Sequence, residues 1–520
     1  MKIDSVKIKN FRGYADETQI LFNDLTVFVG KNDIGKSTIL EALDIFFNDG
    51  KGVTKIDKSD VNVKLNNEGD QDIEITVIFS ELPEKIVIDS SVETTLENEY
   101  LLNENHLLEI KKKYNNGGAA KVFIKALHPT NENCSNLLLK KNSELKKIVK
   151  DGGIECENQT INSTLRQAIW SNFKDTLNLA NVEIDASKDD AKKIWEKLLP
   201  YMPSYSLFQS DRKNSDGDSE VQDPLKEAVK QILANAELQK KLSDVANVVH
   251  EKLQEVSDRT LDKLKEMDPD IADSLKPIIP APESLKWQDV FKSVSISGDD
   301  NIPINKRGSG VKRLILLNFF RGEVQRRFEE GNSTGVIYAI EEPETSQHTD
   351  NQRKLIEALK DLSQTEHVQV ILTTHSPEIV KQLEFSNLRL ITVRNGEKII
   401  DNVLPGQLQY PSLNEVNYVA FNEATEEYHN ELYGYIELQE WKNDYIKGRE
   451  TRKYIKQLQN GSKKEERKDL TEYIRHQIHH PENKLNPHYT HEELRHSIND
   501  MRNFIQQKMK TQSNQEYQEG

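Results

Sequence analysis

The sequence predicts an α/β fold: a mixed sheet flanked by helices, interrupted by a largely helical insert and followed by an all-α C-terminal domain. Three observations predict it. A short apolar run, Leu25-Thr26-Val27-Phe28-Val29, passes through a glycine-bounded loop into the helical Ile39-Leu40-Glu41-Ala42-Leu43. Two more apolar runs, near residues 336–340 and 368–374, have the length and continuity of strands buried on both faces. Within the insert, apolar residues from Leu225 to Met267 recur mostly at helical three- and four-residue steps.

The first element carries the clearest chemistry. Gly30-Lys31-Asn32-Asp33-Ile34-Gly35-Lys36-Ser37-Thr38 stands between strand and helix, the setting of a phosphate-binding loop. Gly30 and Gly35 let backbone N–H groups curl around phosphates, with Asn32 and Thr38 in the same run. Lys36 reaches the terminal phosphates, and Ser37 offers a hydroxyl to Mg2+. ATP and Mg2+ are therefore the expected cofactors.

Far along the chain, Val336-Ile337-Tyr338-Ala339-Ile340 ends in Glu341-Glu342-Pro343-Glu344. A parallel strand delivers such acids to the mouth of the sheet, where the phosphate loop also opens. Glu341 is then the metal-side carboxylate, and Glu342 orients and deprotonates the attacking water. Val368-Gln369-Val370-Ile371-Leu372-Thr373-Thr374 delivers His375 to the same mouth, within reach of the terminal phosphate.

Arg307-Gly308-Ser309-Gly310-Val311-Lys312-Arg313-Leu314 precedes an apolar helix, so Ser309 and Gly310 present a hydroxyl and free N–H groups to an anion. With Asn10-Phe11-Arg12-Gly13 in the first strand and Thr374-His375-Ser376-Pro377 downstream, the set resembles the ABC-type ATPase heads of the SMC, RecF and OLD group. The resemblance covers about the first 85 residues and residues 300 to 395. It implies that Arg12 joins the nucleotide site, and that Ser309 of one subunit closes on ATP held at Lys36 of another. Heads of this group work as homodimers or higher homo-oligomers. Glu341 stands where most relatives have Asp, as in OLD-like members, and no glutamine matches the family's Q-loop.

The expected organisation is an N-terminal head lobe over 1–85, an insert over 86–299, a second head lobe over 300–400 and a helical domain over 401–520. Within the insert, Asp223-Pro224 starts a helix. Its apolar positions, from Leu225 through Val245, Val249 and Leu253 to Met267, predict one long amphipathic element ending at Asp268-Pro269. It suits packing within the insert or across a dimer. The polar stretch Gln209–Ser219 reads as a linker.

The last hundred residues lack the strands and acids of the Toprim domain that OLD nucleases carry. Arg475 and His480 instead fit an R-x-x-x-x-H pattern similar to the active-site motif of HEPN ribonucleases. In that chemistry His480 exchanges a proton with a ribose hydroxyl or leaving oxygen, and Arg475 stabilises phosphate charge. A helical interaction domain accounts for the same segment. A metal site from His476, His480, His488, His491 and His496 is a third reading, without the acid of an H-E-x-x-H motif.

The formal net charge of -16 disfavours broad attachment to nucleic acid. A local basic run from Lys442 to Lys468 leaves RNA or DNA as a partner, or else is a solvated helix face. Two cysteines, Cys134 and Cys156, give no disulfide framework. No signal-like or bilayer-length apolar stretch is present, so a cytoplasmic protein without membrane contact is expected. ATPases of this kind with an added effector resemble bacterial anti-phage defence proteins, including Septu-type ATPases and ABC-headed anticodon nucleases. That implies a defence ATPase whose dimerised heads release a C-terminal RNase. The alternative is an ATP-gated DNA-binding sensor, RecF-like, that acts through a separate effector nuclease.

Overall fold

The computed structural model describes residues 1–50, 52–88, 93–209, 233, 236–267, 335–345, 349–394, 396–403, 412–457 and 462–519. The chain divides into two compact units. One comprises Met1–Leu207, Ser333–Glu344 and Thr349–Gly520; the other comprises Phe208–Asn332 and Thr345–His348.

The first unit contains two six-stranded sheets. One is antiparallel, in the order β2 (Thr18–Leu21), β1 (Lys2–Lys9), β4 (Asp72–Ser80), β5 (Leu108–Asn115), β6 (Ala120–Pro129), β7 (Leu179–Asp185). The second runs β12 (Glu397–Asn402), β11 (Leu388–Arg394), β3 (Leu25–Val29), β10 (Val368–Thr374), β9 (Val336–Glu341), β8 (Ser204–Phe208). Strands β11, β3, β10 and β9 are parallel, and β12 turns back antiparallel on β11. Every residue of β3 and β10 is buried, which is why both read as unbroken apolar runs.

Helix α1 (Lys36–Asn48) packs against β4 of one sheet and against β9 and β10 of the other. Ile39, Leu40, Ala42, Leu43, Ile45 and Phe46 are all fully buried. A helix covered on two sides has to be apolar around most of its girth, and this sequence is.

The antiparallel sheet extends past residue 85, because β5, β6 and β7 belong to the segment expected as insert. Leu108-Glu109-Ile110-Lys111-Lys112-Lys113 looks too charged for an inner strand, yet Lys111 and Lys112 are 8% and 2% exposed. Lys111 pairs with Glu183 at 2.5 Å and Glu74 at 3.5 Å. Lys112 pairs with Asp49 at 2.5 Å and donates to the Phe46 carbonyl at 2.7 Å. Buried cations persist when partners replace the lost water. Outside the sheets, α2 (Val63–Asn67), α3 (Asn142–Asp151), α4 (Asn162–Asn172) and α5 (Asp189–Leu198) complete this part.

In the second unit, α6 (Ala236–Met267) is a long helix where the apolar spacing predicts one, and the expected stop at Asp268-Pro269 lies outside the described residues. Its expected start at Asp223-Pro224 lies outside the described residues.

The first unit continues through α7 (Thr349–Ser363) and α8 (Pro377–Val380) into a helical C-terminal region. There α9 (Leu413–Phe421), α10 (Glu426–Leu438), α11 (Lys442–Ile446), α12 (Leu470–His479) and α13 (His491–Glu519) surround a core of Tyr428, Leu432, Ile436, Ile474, Ile498 and Met501. Ser412, Thr425 and Asp469 cap α9, α10 and α12 by accepting from backbone N–H groups three residues on. The region also holds one hairpin, β13 (Thr451–Gln457) with β14 (Lys463–Asp469), so the basic run Lys442–Lys468 is mostly two strands rather than one helix face. Among the described residues, no helix is long and apolar enough to cross a membrane.

Candidate active site

Strand register assembles the site. Thr374 on β10 lies opposite Val29 on β3, and Thr373 lies opposite Glu341 on β9, so three strand ends finish at one level. The phosphate loop leaves β3 there, with Gly30 at φ 153° and Gly35 at φ 107°. At these angles an L side chain is strained, so both positions call for glycine.

Lys36 is 5% exposed, and its Nζ donates to the carbonyls of Gly30 at 2.8 Å and Lys31 at 3.0 Å. Burial lowers its pKa, while the charges of Glu342, Glu344, Asp33 and Glu341 act in the opposite sense. Asn32 is exposed on the loop, and Thr38 sits in the first turn of α1. Ser37 Oγ contacts Glu341 Oε1, joining loop and acid strand across the sheet. A hydroxyl and a carboxylate converging beside a phosphate loop are hard oxygen donors of the kind Mg2+ takes, together with substrate phosphate and water.

Glu342 turns out of the strand in the left-handed region at φ 42°. Its N–H donates to both the carbonyl and Oγ1 of Thr373 at 3.1 Å, which holds the strained residue in place. His375 Nδ1 lies 3.3 Å from Glu342 Oε1 and 3.4 Å from Glu344 Oε1. Glu344 is 3% exposed and accepts from Thr374 Oγ1 at 2.7 Å and from the His375 N–H at 2.9 Å. In sequence Glu344 stands only as the last acid of Glu341-Glu342-Pro343-Glu344, yet it is the buried acceptor that fixes the His375 backbone.

Arg12 is held by Asp60, at 2.7 Å from Nε, and by Glu41 on α1. Its cation is thus engaged by two carboxylates beside the loop. Ser309 and Gly310, expected to act from a second subunit, lie outside the described residues.

The C-terminal candidates face different neighbours. Arg475 stacks over the Tyr433 ring at 4.2 Å and pairs with Glu437 at 3.2 Å, both on α10. His480, beyond the end of α12, stacks with His476 at 6.2 Å and lies 3.2 Å from Glu482. His429 is buried against Ser497. No group of three or more His, Cys, Asp or Glu side chains suited to a metal occurs among the described residues.

A phosphate loop meeting an acid pair and a strand-end histidine at the mouth of a parallel sheet defines a P-loop ATPase. The AAA ATPase domain model matches residues 1–380, and the chain belongs to that family. It is 23% identical over 444 residues to the endonuclease GajA of Bacillus cereus, a match covering 77% of this chain and 60% of GajA. It is 25% identical over 397 residues to an ATP/GTP phosphatase of Helicobacter pylori, covering 74% of this chain and 87% of that protein. The chain therefore spans about 60% of GajA's length. Among solved structures it matches the SMC head domain of Thermotoga maritima at 12% identity and TM-score 0.32, covering 78% of this chain and all of that one. An SMC head from Pyrococcus furiosus, bound to the C-terminal domain of ScpA, matches at 13% identity and TM-score 0.35, covering 77% of this chain and 95% of that one.

Proposed function

We propose that this chain is an ATP-hydrolysing head of bacterial anti-phage defence, whose ATP-driven dimerisation controls action on nucleic acid. The observation that carries the reading is the meeting of Ser37 with Glu341 beside Glu342, His375 and Glu344. In this scheme Lys36 binds the terminal phosphates, and Ser37 with Glu341 holds Mg2+, which would neutralise phosphate charge. Glu342 accepts a proton from the attacking water while His375 steadies the phosphate. Ser309 and Gly310 of a second subunit close the site.

The C-terminal region supports a nucleic-acid role through its basic hairpin. Lys453, Lys463 and Lys464 are exposed there despite an acidic chain overall. An ATP-gated binding head, acting through a separate nuclease, is the reading the geometry favours, because Glu437 and Tyr433 already engage the Arg475 guanidinium. A self-contained HEPN-like RNase is the second reading, favoured by the exposed His480 imidazole just past the end of the helix that carries Arg475. GajA's name as an endonuclease supports nucleic acid as the target under both.

The test incubates the full chain with bacterial tRNA and with plasmid DNA, with and without ATP and Mg2+, beside Arg475→Ala/His480→Ala. ATP-dependent binding without cleavage is expected from the gated head. RNA cleavage absent from the double variant establishes the RNase instead. Neither binding nor cleavage in any arm overturns a nucleic-acid role.

A further inference from the structure

Lys398 lies in β12, the antiparallel edge strand that follows β11, and no sequence motif marks it. Its Nζ sits 5.2 Å from the centroid of the Tyr14 ring. The Tyr14 hydroxyl donates to the carbonyl of Gly35 at 3.1 Å, so ring and loop form one floor. A Cβ on Gly13 would fall 2.2 Å from Lys398 Nζ, and one on Gly35 would fall 2.6 Å from it. Two glycines of the recognised motifs thus leave the space that the lysine occupies, directly against Gly35, the N-cap of α1.

Three physical features of this placement call for an anion. The ammonium stands at the N-terminal end of α1, where the helix dipole is positive and disfavours a cation. It is partly buried, and burial lowers its pKa with no neighbouring charge acting the other way. Among the described residues, no carboxylate pairs with it, whereas Arg12 nearby is held by two. The Tyr14 ring face compensates only in part, since a cation–π contact is weaker than a full ion pair.

We infer that Lys398 is a second nucleotide-binding cation, contacting the phosphate chain of a nucleoside triphosphate held in the phosphate loop from the side opposite Glu341 and Glu342. The inference rests on the reading of residues 30–38 as the nucleotide site. Bound phosphate supplies the negative charge missing between Lys398 and the helix end, as anions do at other helix N-termini. Lys398 is a binding residue here, with no part in the hydrolytic step.

The experiment measures Mg·ATP affinity of the full chain by calorimetry for wild type, Lys398→Met, Lys398→Gln, Lys398→Arg and Lys36→Ala, with thermal unfolding as a folding control. Lys398→Met keeps the packed stem and loses the charge, and Lys398→Gln serves if that variant fails to fold. Loss of affinity on the order of tenfold is expected for either neutral variant, a change typical of one lost charged contact. The salt dependence should flatten, and Lys398→Arg should restore most of the binding. In turnover, KM rises with kcat nearly unchanged. A neutral variant that binds ATP as wild type does, or an arginine variant as weak as the methionine one, overturns the assignment while Lys36→Ala still abolishes binding. If Lys36→Ala binds ATP like wild type, the phosphate-loop reading itself fails.

Discussion

Glu344 grips His375 at two points: its Oε1 accepts from the His375 backbone N–H at 2.9 Å and lies 3.4 Å from the ring Nδ1. The same oxygen accepts from Thr374 Oγ1 at 2.7 Å. A buried carboxylate with three converging partners holds the loop after β10 in one shape, which aims the imidazole beside Glu342. Glu344→Ala should therefore lower kcat on the order of tenfold, about 1.4 kcal/mol of barrier, with ATP affinity little changed. His375→Ala should cost a similar factor, and the double variant little more than either alone, because the two act as one unit. Steady-state kinetics and ATP binding of the three variants check this; full additivity would separate the two residues.

Glu342→Gln keeps the shape and the backbone hydrogen bonds to Thr373 but removes the carboxylate proposed as proton acceptor. Phosphate release should fall roughly a hundredfold or more, the range of a lost general base. ATP should still bind, and the ATP-bound protein should accumulate as a dimer in light scattering. Hydrolysis at the wild-type rate would take Glu342 out of the role.

The parts of this site legible in sequence are those where chemistry restricts the residue type. Gly30, Gly35, Lys36 and Ser37 were readable because a phosphate loop tolerates few alternatives, and Glu341 because it ends an apolar strand. Lys398 was not, since a lysine on an edge strand looks like any surface lysine until topology sets β12 beside Tyr14. Strand β5 was hidden for a related reason. Its buried Lys111 and Lys112 are matched by Glu183, Glu74 and Asp49 from distant segments, and local periodicity carries no record of such partners. The hairpin was masked by its lysines, with only Tyr454 of β13 fully inside.

Arg166 on α4 and Glu99 form a pair 2.7 Å apart in which both side chains are 2% exposed. Removing one partner takes the opposite charge away from a site shielded from water. Arg166→Met or Glu99→Gln should each cost about 3–5 kcal/mol of stability. Arg166→Met/Glu99→Leu should recover much of that loss, although Thr94 Oγ1, which donates to Glu99 at 3.1 Å, gives up its acceptor. Denaturant melts of the singles and the double form the cycle. Single variants as stable as wild type would mean that water reaches the pair.

His429 on α10 sets an acid limit on the C-terminal region. It is fully buried, its Nε2 lies 3.0 Å from Ser497 Oγ, and the chain continues through Thr471 at 2.7 Å to the Tyr445 hydroxyl at 2.8 Å. Burial first, and the charge of Arg475 second, push its pKa down from 6.5 to about 3. Above pH 6.5 the imidazole is neutral in both folded and unfolded chains, and its contribution to stability is complete. As pH falls below that value the unfolded chain takes up a proton that the folded chain refuses until about pH 3, so stability drains away across that window. The slope for one such group approaches about 1.4 kcal/mol per pH unit. His476, also lowered to about 4 mainly by burial, acts in the same direction, but its side is half open to water and the effect is smaller. Thermal unfolding from pH 7 to pH 4 should thus show a steeper loss in wild type than in His429→Gln, whose amide can still bond Ser497 without titrating. Equal slopes in the two proteins would mean that His429 is protonated inside the fold, and that the Ser497–Thr471–Tyr445 chain tolerates a charge at its end.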